Sequence, residues 1–477
     1  MAASLLVLLL PLAPAPVSSA AIPQYANIDE FVVKEVRTII KNSAKDYLKQ
    51  IKAHQGVMDL SHPIHDGQLL GSQAAESFGA FVFDLFVGTS AALPPQTLSV
   101  VMDITTGLVW TQCEPCTSCT TVTPGTSIFL PYYSDSFAEV GCDTETCQSM
   151  IPAVHLCAED GDLCDYSEDF HGAGNTSGYL ATDSFSFGTT AVPGVLFGCS
   201  VNTMLPNLGG AAGFASFSRG PLSLVSQLNI SSFTYSIALP DDPADKSFLS
   251  WSRGTTATAA MLTKERSSSS TPLLAPTIQQ NIGLYYVNLT GVQVDGKLLT
   301  DIPVGTFDVR ANGSGGVFLS TTLPVTYLEE VAYRVLRQEL VNRVQSQGVA
   351  PVNLTGGGVD LDHLCFLRQN FDSVKIPTIA LVFDGADAAM ELQVQNYFFD
   401  DEGGQTCLTI LPSIGRSVLG NLLQAGKTMT YDIHDDGGGL LTFKAAVSGG
   451  TPGPERVSLV IIIATLLAWV LGLQSHF

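Results

Sequence analysis

Val101-Met102-Asp103-Ile104-Thr105-Thr106, which leads into Leu108-Val109-Trp110, is an apolar strand that ends in a small polar turn and then resumes as apolar residues. Phe318-Leu319-Ser320-Thr321-Thr322, which leads into Val325-Thr326-Tyr327, repeats that plan in the second half of the chain. An internal duplication leaves this kind of self-similarity. The two stretches therefore predict a body made of two related halves.

The sequence around these stretches is typical of an all-β protein. From Phe78 onward, short runs rich in Val, Phe, Tyr, Leu and Thr are bounded by Gly, Pro and Asn at close spacing. The runs are Ala80 to Val87, Leu98 to Met102, Tyr179 to Phe187, Val195 to Cys199, Tyr285 to Val292, Gly316 to Leu319 and Ile379 to Phe383. The stretch from Leu239 to Lys246, with two prolines and three aspartates, predicts a linker between the halves.

One helix is predicted after the second polar turn, with Pro324 upstream of it. Its apolar stripe consists of Leu328, Val331, Ala332, Val335, Leu336, Leu340 and Val344. These residues recur at the spacing of one helical face.

Composition excludes several classes of protein. A chain of 477 residues with 45% hydrophobic residues can bury large cores, so disorder over most of its length is excluded. The 22 Lys and Arg residues stand against 44 Asp and Glu residues, and a net charge of -22 repels phosphate backbones. No nucleic-acid partner is therefore expected.

The ten cysteines indicate a secreted protein with disulfide bonds. Cys113, Cys116 and Cys119 are spaced closely enough for a metal site, but the secretory context favours disulfides. Eight histidines show no His-x-x-x-His spacing, and the chain has neither a Gly-x-Ser-x-Gly elbow nor a glycine-rich phosphate loop. No metal or cofactor is expected.

Both ends of the chain resemble targeting segments. Residues 1–20 hold an apolar run followed by small residues, as in a secretory signal peptide. Residues 449–477 hold an apolar run from Val457 to Leu473, preceded by a short spacer and by Ser448 and Gly449, which together predict a GPI-attachment signal. A single-pass membrane anchor is the alternative. Five glycosylation sequons agree with this route, at Asn175, Asn229, Asn288, Asn312 and Asn353.

A basic segment precedes the acidic body. Between Asp29 and His54, apolar residues recur at helical spacing, and six of the 22 basic residues occupy the other face. This pattern predicts a basic amphipathic helix within residues 21–75. Charge complementarity suggests a pro-segment that covers an acidic cleft, whereas an ordinary solvated helix face is the alternative.

The body resembles the pepsin-like aspartic peptidases, specifically the plant nepenthesin-like group, from about Phe78 to Ala446. The segments that carry the resemblance are Leu108 to Cys116, Gly178 to Gly188, Phe197-Gly198-Cys199, Arg219 to Leu228, Leu284 to Gly291, Thr326 to Tyr333 and Val418-Leu419-Gly420-Asn421. The resemblance implies an all-β, bilobal fold, with two β-barrel-like lobes, a few short helices and a peptide-binding cleft between the lobes. The lobes are assigned to residues 76–240 and 241–448.

The same resemblance implies a catalytic site with two carboxylates that share one proton. Each normally lies in an Asp-Thr/Ser-Gly turn. Asp103 keeps the first carboxylate, but Thr105 stands where glycine is the pattern, so loss of the support of this turn is expected. Ser320, followed by Thr321, stands where the second Asp belongs, and no Asp or Glu occurs between Asp308 and Glu329.

Other parts of the expected site also depart from the family pattern. Phe170 and His171 begin a flap segment in which the family has Tyr-Gly-Asp-Gly, so the tyrosine hydroxyl is missing. His171 could act as a base, but solvation in a loop is the simpler interpretation because no nucleophile is identified beside it. Ser216 and Ser218 replace the glycines of a Gly-x-Gly loop, whereas Gly420 is kept in the second lobe.

The family pattern also implies a disulfide pairing, which spacing alone leaves open. The implied pairs are Cys113 with Cys116, Cys119 with Cys199, Cys142 with Cys164, Cys147 with Cys157, and Cys365 with Cys407.

These observations favour an extracellular pseudo-peptidase that holds a peptide or protein ligand in its interlobe cleft. It would be a monomer attached to the cell-surface membrane, or held at the cell wall. An atypical acid endopeptidase that uses Asp103 and Ser320 with a water is the first alternative. An inhibitor of, or receptor for, a glycan hydrolase is the second, and it rests on fold analogy.

Overall fold

The computed structural model describes most of the body of the chain. The described residues are 30–33, 36–38, 58–59, 81–120, 122, 127–148, 155–157, 162–170, 174–187, 190–205, 208, 210–239, 247–253, 269–275, 283–310, 313–352, 363–385, 387–401, 403–434 and 437–445. The predicted signal peptide, the tail segment with Ser448 and Gly449, His171, Asn312 and Asn353 lie outside them.

Short strands form most of the described structure. Those up to residue 252 are β1 (Glu30–Val33), β2 (Val36–Thr38), β3 (Met58–Asp59), β4 (Phe81–Val87), β5 (Gln96–Asp103), β6 (Trp110–Gln112), β7 (Ala138–Glu139), β8 (His155–Leu156), β9 (Asp165–Asp169), β10 (Asn175–Phe187), β11 (Thr190–Thr203), β12 (Gly213–Ser216), β13 (Ser232–Ser236) and β14 (Phe248–Ser252). Those that follow are β15 (Ser270–Leu274), β16 (Tyr286–Val287), β17 (Leu289–Val294), β18 (Lys297–Leu298), β19 (Val317–Leu319), β20 (Thr326–Glu329), β21 (Cys365–Leu367), β22 (Ile379–Phe383), β23 (Ala389–Leu392), β24 (Phe398–Asp400), β25 (Gln405–Leu408), β26 (Ile410–Ile414), β27 (Ser417–Leu419), β28 (Lys427–Ile433) and β29 (Gly439–Ala445).

Helices are few and mostly one turn long. The described α-helices are Glu145–Gln148, Leu224–Gln227, Glu330–Gln345, Arg368–Phe371, Val394–Tyr397 and Asn421–Gln424, and a 3-10 turn spans Pro131–Tyr133. No helix of the described residues is both long and apolar enough to cross a membrane. The prediction of an all-β body with a few short helices is confirmed.

The first half of the chain forms a ten-stranded sheet in the order β2-β4-β5-β12-β6-β11-β10-β9-β8, with β7 on β10. A second pairing between β4 and β10 closes this sheet toward a barrel. Phe81 and Phe83 lie on one face of β4 and join the large core cluster, whereas Val82 points to a smaller cluster around Trp110. This alternation follows from the two-residue period of a strand. It lets one sheet serve two cores.

The second half builds a twelve-stranded sheet that also recruits strands from the first half. Its order is β1-β14-β13-β28-β29-β15-β16-β19-β27-β20-β26-β3. At the junction, Phe233 of β13 lies opposite Tyr431 of β28, and their rings stack with centroids 4.6 Å apart. Backbone pairing and aromatic packing therefore join the two halves.

The predicted helix after the second polar turn is Glu330–Gln345. Its N-terminus is capped by the carboxylate of Glu329, which accepts a hydrogen bond from the amide of Val331 at 3.0 Å. Most of the predicted stripe is buried, but Val331 is 45% exposed because the buried face is turned toward Tyr333 instead. The prediction is correct for the helix and wrong for this one residue.

The N-terminal segment differs from the prediction. The spacing between Asp29 and His54 predicted a helix, but Glu30–Val33 and Val36–Thr38 are strands. They pair with β14 and β4, at an edge of each large sheet. The segment is rich in β-branched valine, and an available sheet edge outweighs a helical pattern. The rest of the predicted helix lies outside the described residues.

All ten cysteines are in disulfides, as predicted, but four of the five implied pairs are wrong. The observed pairs are Cys113–Cys199, Cys116–Cys119, Cys142–Cys157, Cys147–Cys164 and Cys365–Cys407. Cys147 Sγ also lies 3.9 Å from Cys157 Sγ, so two bridges lie side by side. Cysteine spacing in the sequence cannot distinguish between alternative partners within such a cluster. The predicted pairs rested on the family pattern alone.

Candidate functional site

Asp103 is the last residue of β5 and is fully buried. Its Oδ1 accepts hydrogen bonds from the amide of Thr105 at 2.9 Å and from Thr105 Oγ1 at 2.6 Å. Its Oδ2 accepts one from the amide of Thr106 at 3.0 Å. The expectation that this turn has lost its support is therefore wrong, because threonine replaces the glycine and adds a hydroxyl donor of its own.

Burial and hydrogen bonding have opposite effects on the pKa of Asp103. Burial raises the pKa of its carboxyl, and the hydrogen bonds from Thr105 and Thr106 lower it, with burial the larger effect. The net pKa is above the ordinary aspartate value. The carboxyl is thus held in place by donors that favour its ionised form, in surroundings that disfavour the charge.

Ser320 follows β19 at the matching position of the second half. Its Oγ accepts hydrogen bonds from the amide of Thr322 at 3.3 Å and from that of Leu323 at 3.1 Å, and it lies 3.2 Å from Thr322 Oγ1. In both turns the side chain therefore binds the amides two and three residues later. This shared hydrogen-bond pattern supports the pairing of Ser320 with Asp103, with a hydroxyl where the second carboxylate would be.

A direct hydrogen bond joins the two turns. Thr321 Oγ1 donates to the backbone carbonyl of Met102 at 2.9 Å, across 219 positions of sequence. The equivalent residue of the first turn is Ile104, which is fully buried and has no side-chain donor. Thr321 of the second turn therefore binds the first, whereas Ile104 of the first turn cannot bind the second. The bond from Thr321 holds the turn of Ser320 beside the strand that carries Asp103.

Behind Ser320 lies a set of buried amide side chains that sequence reasoning missed. Gln424 Nε2 donates to the carbonyls of Ser320 and Leu419, both at 2.9 Å. Asn421 Nδ2 donates to the carbonyl of Thr321 at 2.8 Å. The sequence places Asn421 in a segment that carries the family resemblance but assigns it no role. It marks Gln424 only by its position after Gly420, where an added Cβ would lie 2.1 Å from the carbonyl oxygen of Val325.

Ser216 and Ser218 occupy the loop beside Asp103. Ser216 pairs with Asp103 in the parallel ladder of β12 and β5, and its Oγ donates to the carbonyl of Thr106. Ser218 Oγ accepts from the amide of Gly220 at 3.0 Å. Both hydroxyls form hydrogen bonds with the backbone next to the turn of Asp103, which glycines at these positions could not form.

In the predicted flap, β9 pairs antiparallel with β10, and Phe170 directly follows β9. Phe170 is fully buried, and its ring centroid lies 6.4 Å from that of Trp110 and 5.8 Å from that of Phe214. Trp110 Nε1 is buried and has no hydrogen-bond partner among the described residues. A phenylalanine at position 170 cannot supply one, since it lacks a hydroxyl. His171 lies outside the described residues.

The chemistry open to this arrangement is limited. Two carboxylates in contact split their pKa values, so that one is a base while the other is an acid. A serine hydroxyl neither shares a proton in this way nor supplies a second charge. The described site can position an acceptor at Asp103 and hydroxyl groups at Ser320 and Thr322.

Three of the five predicted glycosylation sites lie in the described residues. Asn229 is exposed and has a positive φ of 53° after the helix Leu224–Gln227. Asn288 is half-buried in the strand region. Asn175 begins β10, and its Oδ1 is buried.

We expect glycan occupancy to follow this accessibility. Asn229 should be fully occupied, whereas Asn175 should be occupied in less than about a tenth of the molecules, because its side-chain Oδ1 is buried in the folded strand. Mass spectrometry of tryptic peptides after enzymatic deglycosylation in ¹⁸O-labelled water measures each site. High occupancy at Asn175 would contradict this expectation and would mean that transfer precedes closure of the β10 strand.

Comparison with known proteins agrees with the fold. Family models described as Xylanase inhibitor N-terminal and Xylanase inhibitor C-terminal match residues 85–251 and 284–442. The chain is 31% identical over 376 residues to aspartic proteinase nepenthesin-1 of Nepenthes gracilis, covering 78% of this chain and 79% of that protein. It is 30% identical over 397 residues to aspartyl protease 37 of Oryza sativa subsp. japonica, covering 75% and 78%.

Solved structures share the fold at lower identity. The crystal structure of edgp matches with a TM-score of 0.57 at 16% identity, covering 78% of this chain and 93% of that chain. Conglutin gamma from lupine seeds matches with a TM-score of 0.55 at 17% identity, covering 77% and 92%. Family models over both halves and relatives at about 30% identity show that the chain belongs to the pepsin-like aspartic peptidase family, in its plant nepenthesin-like group.

Proposed function

We propose that this protein is a catalytically impaired member of its family, which binds a peptide or protein ligand between its lobes and does not hydrolyse it. One observation carries the proposal. Ser320 Oγ takes the role of a carboxylate oxygen. It accepts hydrogen bonds from the amides of Thr322 and Leu323, as the carboxylate of Asp103 accepts them from the amides of Thr105 and Thr106. A hydroxyl there cannot complete the proton-sharing pair.

The size of the expected loss of catalytic rate supports the proposal of an impaired enzyme. Residues of a cooperating catalytic unit act together, so removal of one member costs several orders of magnitude in rate. The fold around the site is nevertheless closely bonded, with the turn of Asp103 fully supplied with donors. Maintained structure together with a missing acid suits binding better than catalysis.

We expect no turnover of a denatured protein substrate by the purified protein at any pH from acid to neutral. The matched control is Asp103→Asn, which removes the only carboxylate among the described site residues and keeps the side-chain shape. Both proteins should release peptides at the same background rate, measured by mass spectrometry with a pepstatin-type inhibitor in a parallel reaction. Peptide release by the unchanged protein that Asp103→Asn abolishes would establish instead an active atypical endopeptidase.

Ligand binding is tested separately from catalysis. A library of peptides is incubated with the folded protein, and bound peptides are identified by mass spectrometry. Thr321→Val removes the hydrogen bond between the turns and should weaken retention of cleft-bound peptides. Absence of any retained peptide or protein would contradict the binding proposal.

Inhibition of a glycan hydrolase is a second candidate. The descriptions of both family models name xylanase inhibitors, and this is the observation that favours it. Dose-dependent loss of xylanase activity on addition of the protein would support this candidate, and unchanged activity at a large molar excess would reject it.

We also propose that the protein reaches the extracellular face of the plasma membrane or the cell wall. Its five disulfides support the secretory route, since such bonds persist in oxidising compartments. The tail after Gly449 supports a GPI anchor. Release from intact cells by phosphatidylinositol-specific phospholipase C tests the lipid anchor against a transmembrane helix, which the enzyme would not release.

A further inference from the structure

Two adjacent aromatic side chains are exposed in the first half of the chain. Among the described residues, three aromatic side chains are exposed, namely Phe86 at 41%, Tyr132 at 66% and Tyr133 at 49%. The rings of Tyr132 and Tyr133 lie with centroids 4.4 Å apart and planes inclined by 49°. Tyrosine is enriched at binding surfaces, because its ring is apolar and its hydroxyl remains in water.

The backbone beneath these two rings is fixed. Pro131 opens the 3-10 turn, and its ring restricts φ. The side chain of Gln96 binds both sides of the preceding residue, accepting from the amide of Leu130 at 2.8 Å and donating to its carbonyl at 2.9 Å. The entry to the turn is therefore held by a neighbouring strand.

The exit from the turn is held as well. Ser134 Oγ donates to Asp183 Oδ1 at 2.9 Å, and Asp183 is fully buried. Ser136 Oγ donates to the same oxygen. The amide of Thr89 donates to Ser134 Oγ at 3.1 Å. With both ends anchored, the tyrosine rings lose little conformational entropy when a ligand binds.

A polar group borders the rings, and an apolar side chain lies on the neighbouring loop. Tyr132 OH donates to Glu114 Oε2 at 3.3 Å, and both groups are exposed. Leu93, 48% exposed, lies in the segment from Thr89 to Gln96, in which Thr89, Ala91 and Gln96 form hydrogen bonds to residues 130–136. The surface thus offers ring faces with hydrogen-bonding groups at their edge.

This combination matches the chemistry of a sugar ring. The face of a pyranose carries C–H groups that pack on the electron-rich face of an aromatic ring, and its edge carries hydroxyls that bind carboxylate and phenol oxygens. The net charge of -22, with Glu114 at the rim, disfavours acidic glycans. We propose that Tyr132 and Tyr133 form a binding platform for a neutral polysaccharide.

A protein partner suits this surface less well. A stable protein interface buries about 800 Å² on each side around an apolar centre. The large exposed apolar side chains in residues 89–96 and 130–136 are the two tyrosines and Leu93. Ala91, Ala92, Pro94 and Pro95 are also exposed but small, and Glu114 and Asp135 are exposed acidic residues. The platform is of the size that one or two sugar rings cover.

The test is isothermal titration of the full chain, produced through a plant secretory pathway, with cellohexaose and xylohexaose as neutral probes. Hexagalacturonic acid is the charged probe. We expect at least one neutral probe to bind, and Tyr132→Ala and Tyr133→Ala each to weaken that binding at least tenfold. Phe86→Ala, which removes the exposed aromatic ring of β4, should leave the affinity unchanged. Circular dichroism confirms that every variant is folded.

Three results would overturn the proposal. The first is absence of binding by both neutral probes at millimolar concentration. The second is equal affinity of the unchanged chain and a folded Tyr132→Ala, Tyr133→Ala double variant. The third is binding of hexagalacturonic acid as tight as that of the neutral probes. Peptide cleavage and peptide retention are unaffected by any of these outcomes, so failure here is distinct from failure of the proposed function.

Discussion

Replacing Gln424 with leucine is expected to lower the free energy of unfolding by about 4 kcal/mol. Gln424 is fully buried, and its Nε2 donates to the carbonyls of Ser320 and Leu419 while its Oε1 accepts from the hydroxyl of Tyr235. Leucine fills a similar volume but offers neither donor nor acceptor. Each buried polar group left without this partner costs about 1 to 3 kcal/mol, and several are affected at once.

Urea denaturation with the disulfides intact measures this loss. Gln338→Leu is the matched control, since Gln338 lies on the exposed face of the helix Glu330–Gln345 and binds Asn342 Oδ1 there. It should change the free energy of unfolding by less than about 0.5 kcal/mol. A loss below about 1 kcal/mol for Gln424→Leu would show that water or a shifted side chain replaces the missing amide.

The position of Gln424 extends this effect beyond stability. The hydroxyl of Tyr235 lies 3.1 Å from that of Tyr431, and the ring of Tyr431 packs on that of Tyr285 with centroids 4.9 Å apart. Arg219 lies over Tyr285, 4.9 Å from its ring centroid. Gln424 thus connects the turn of Ser320 to the aromatic cluster that joins the two halves. Loss of its amide should loosen the turn and the junction together.

The architecture was predictable because it rests on local patterns. Strands with a two-residue period, polar turns between them and one helix with an apolar stripe each depend on residues close in sequence. The duplication of the turns at Asp103 and Ser320 was predictable because each turn is also a local pattern. The structure adds that both side chains bind the amides two and three residues later.

The parts that were not predictable depend on residues far apart in sequence. Thr321 reaches the carbonyl of Met102 across 219 positions, and Ser216 reaches that of Thr106 across 110. The hydrogen bonds that hold Asp103 were not predictable for a different reason. The family pattern has glycine at position 105, and the hydroxyl of Thr105 donates a hydrogen bond that glycine could not. The N-terminal segment, predicted as a helix, forms strands where sheet edges of the body accept it.

Lys427 supports a second prediction of large effect, which concerns pH. Its side chain is only 6% exposed, and burial lowers the pKa of its ammonium group from 10.5 to about 8, an effect that the negative charge of Glu391 partly offsets. Its Nζ reaches one hydrogen-bond partner in the described residues, Asn396 Oδ1, at 3.4 Å. A cation with so few contacts is destabilising in a buried position.

The direction of the pH dependence follows from the two pKa values. Below pH 8 the ammonium is protonated in both the folded and the unfolded chain, so the full cost of burying its charge is present. Between pH 8 and 10.5 the folded chain releases the proton while the unfolded chain keeps it, so Lys427 makes stability rise with pH. The rise contributed by this one group is about 3 kcal/mol over that window.

Lys427→Met should therefore raise the free energy of unfolding at pH 7 by about 2 kcal/mol, after about 1 kcal/mol is deducted for the lost hydrogen bond. The gain should shrink as the pH approaches 10, because the native lysine is then neutral as well. Comparing the two chains at each pH cancels the titration of the buried tyrosines that they share. Lys375→Met, at an exposed position, should give the same stability as the unchanged chain at every pH. A gain for Lys427→Met that stays constant from pH 7 to 10 would mean that packing by the methionine, and not removal of a buried charge, stabilises the fold.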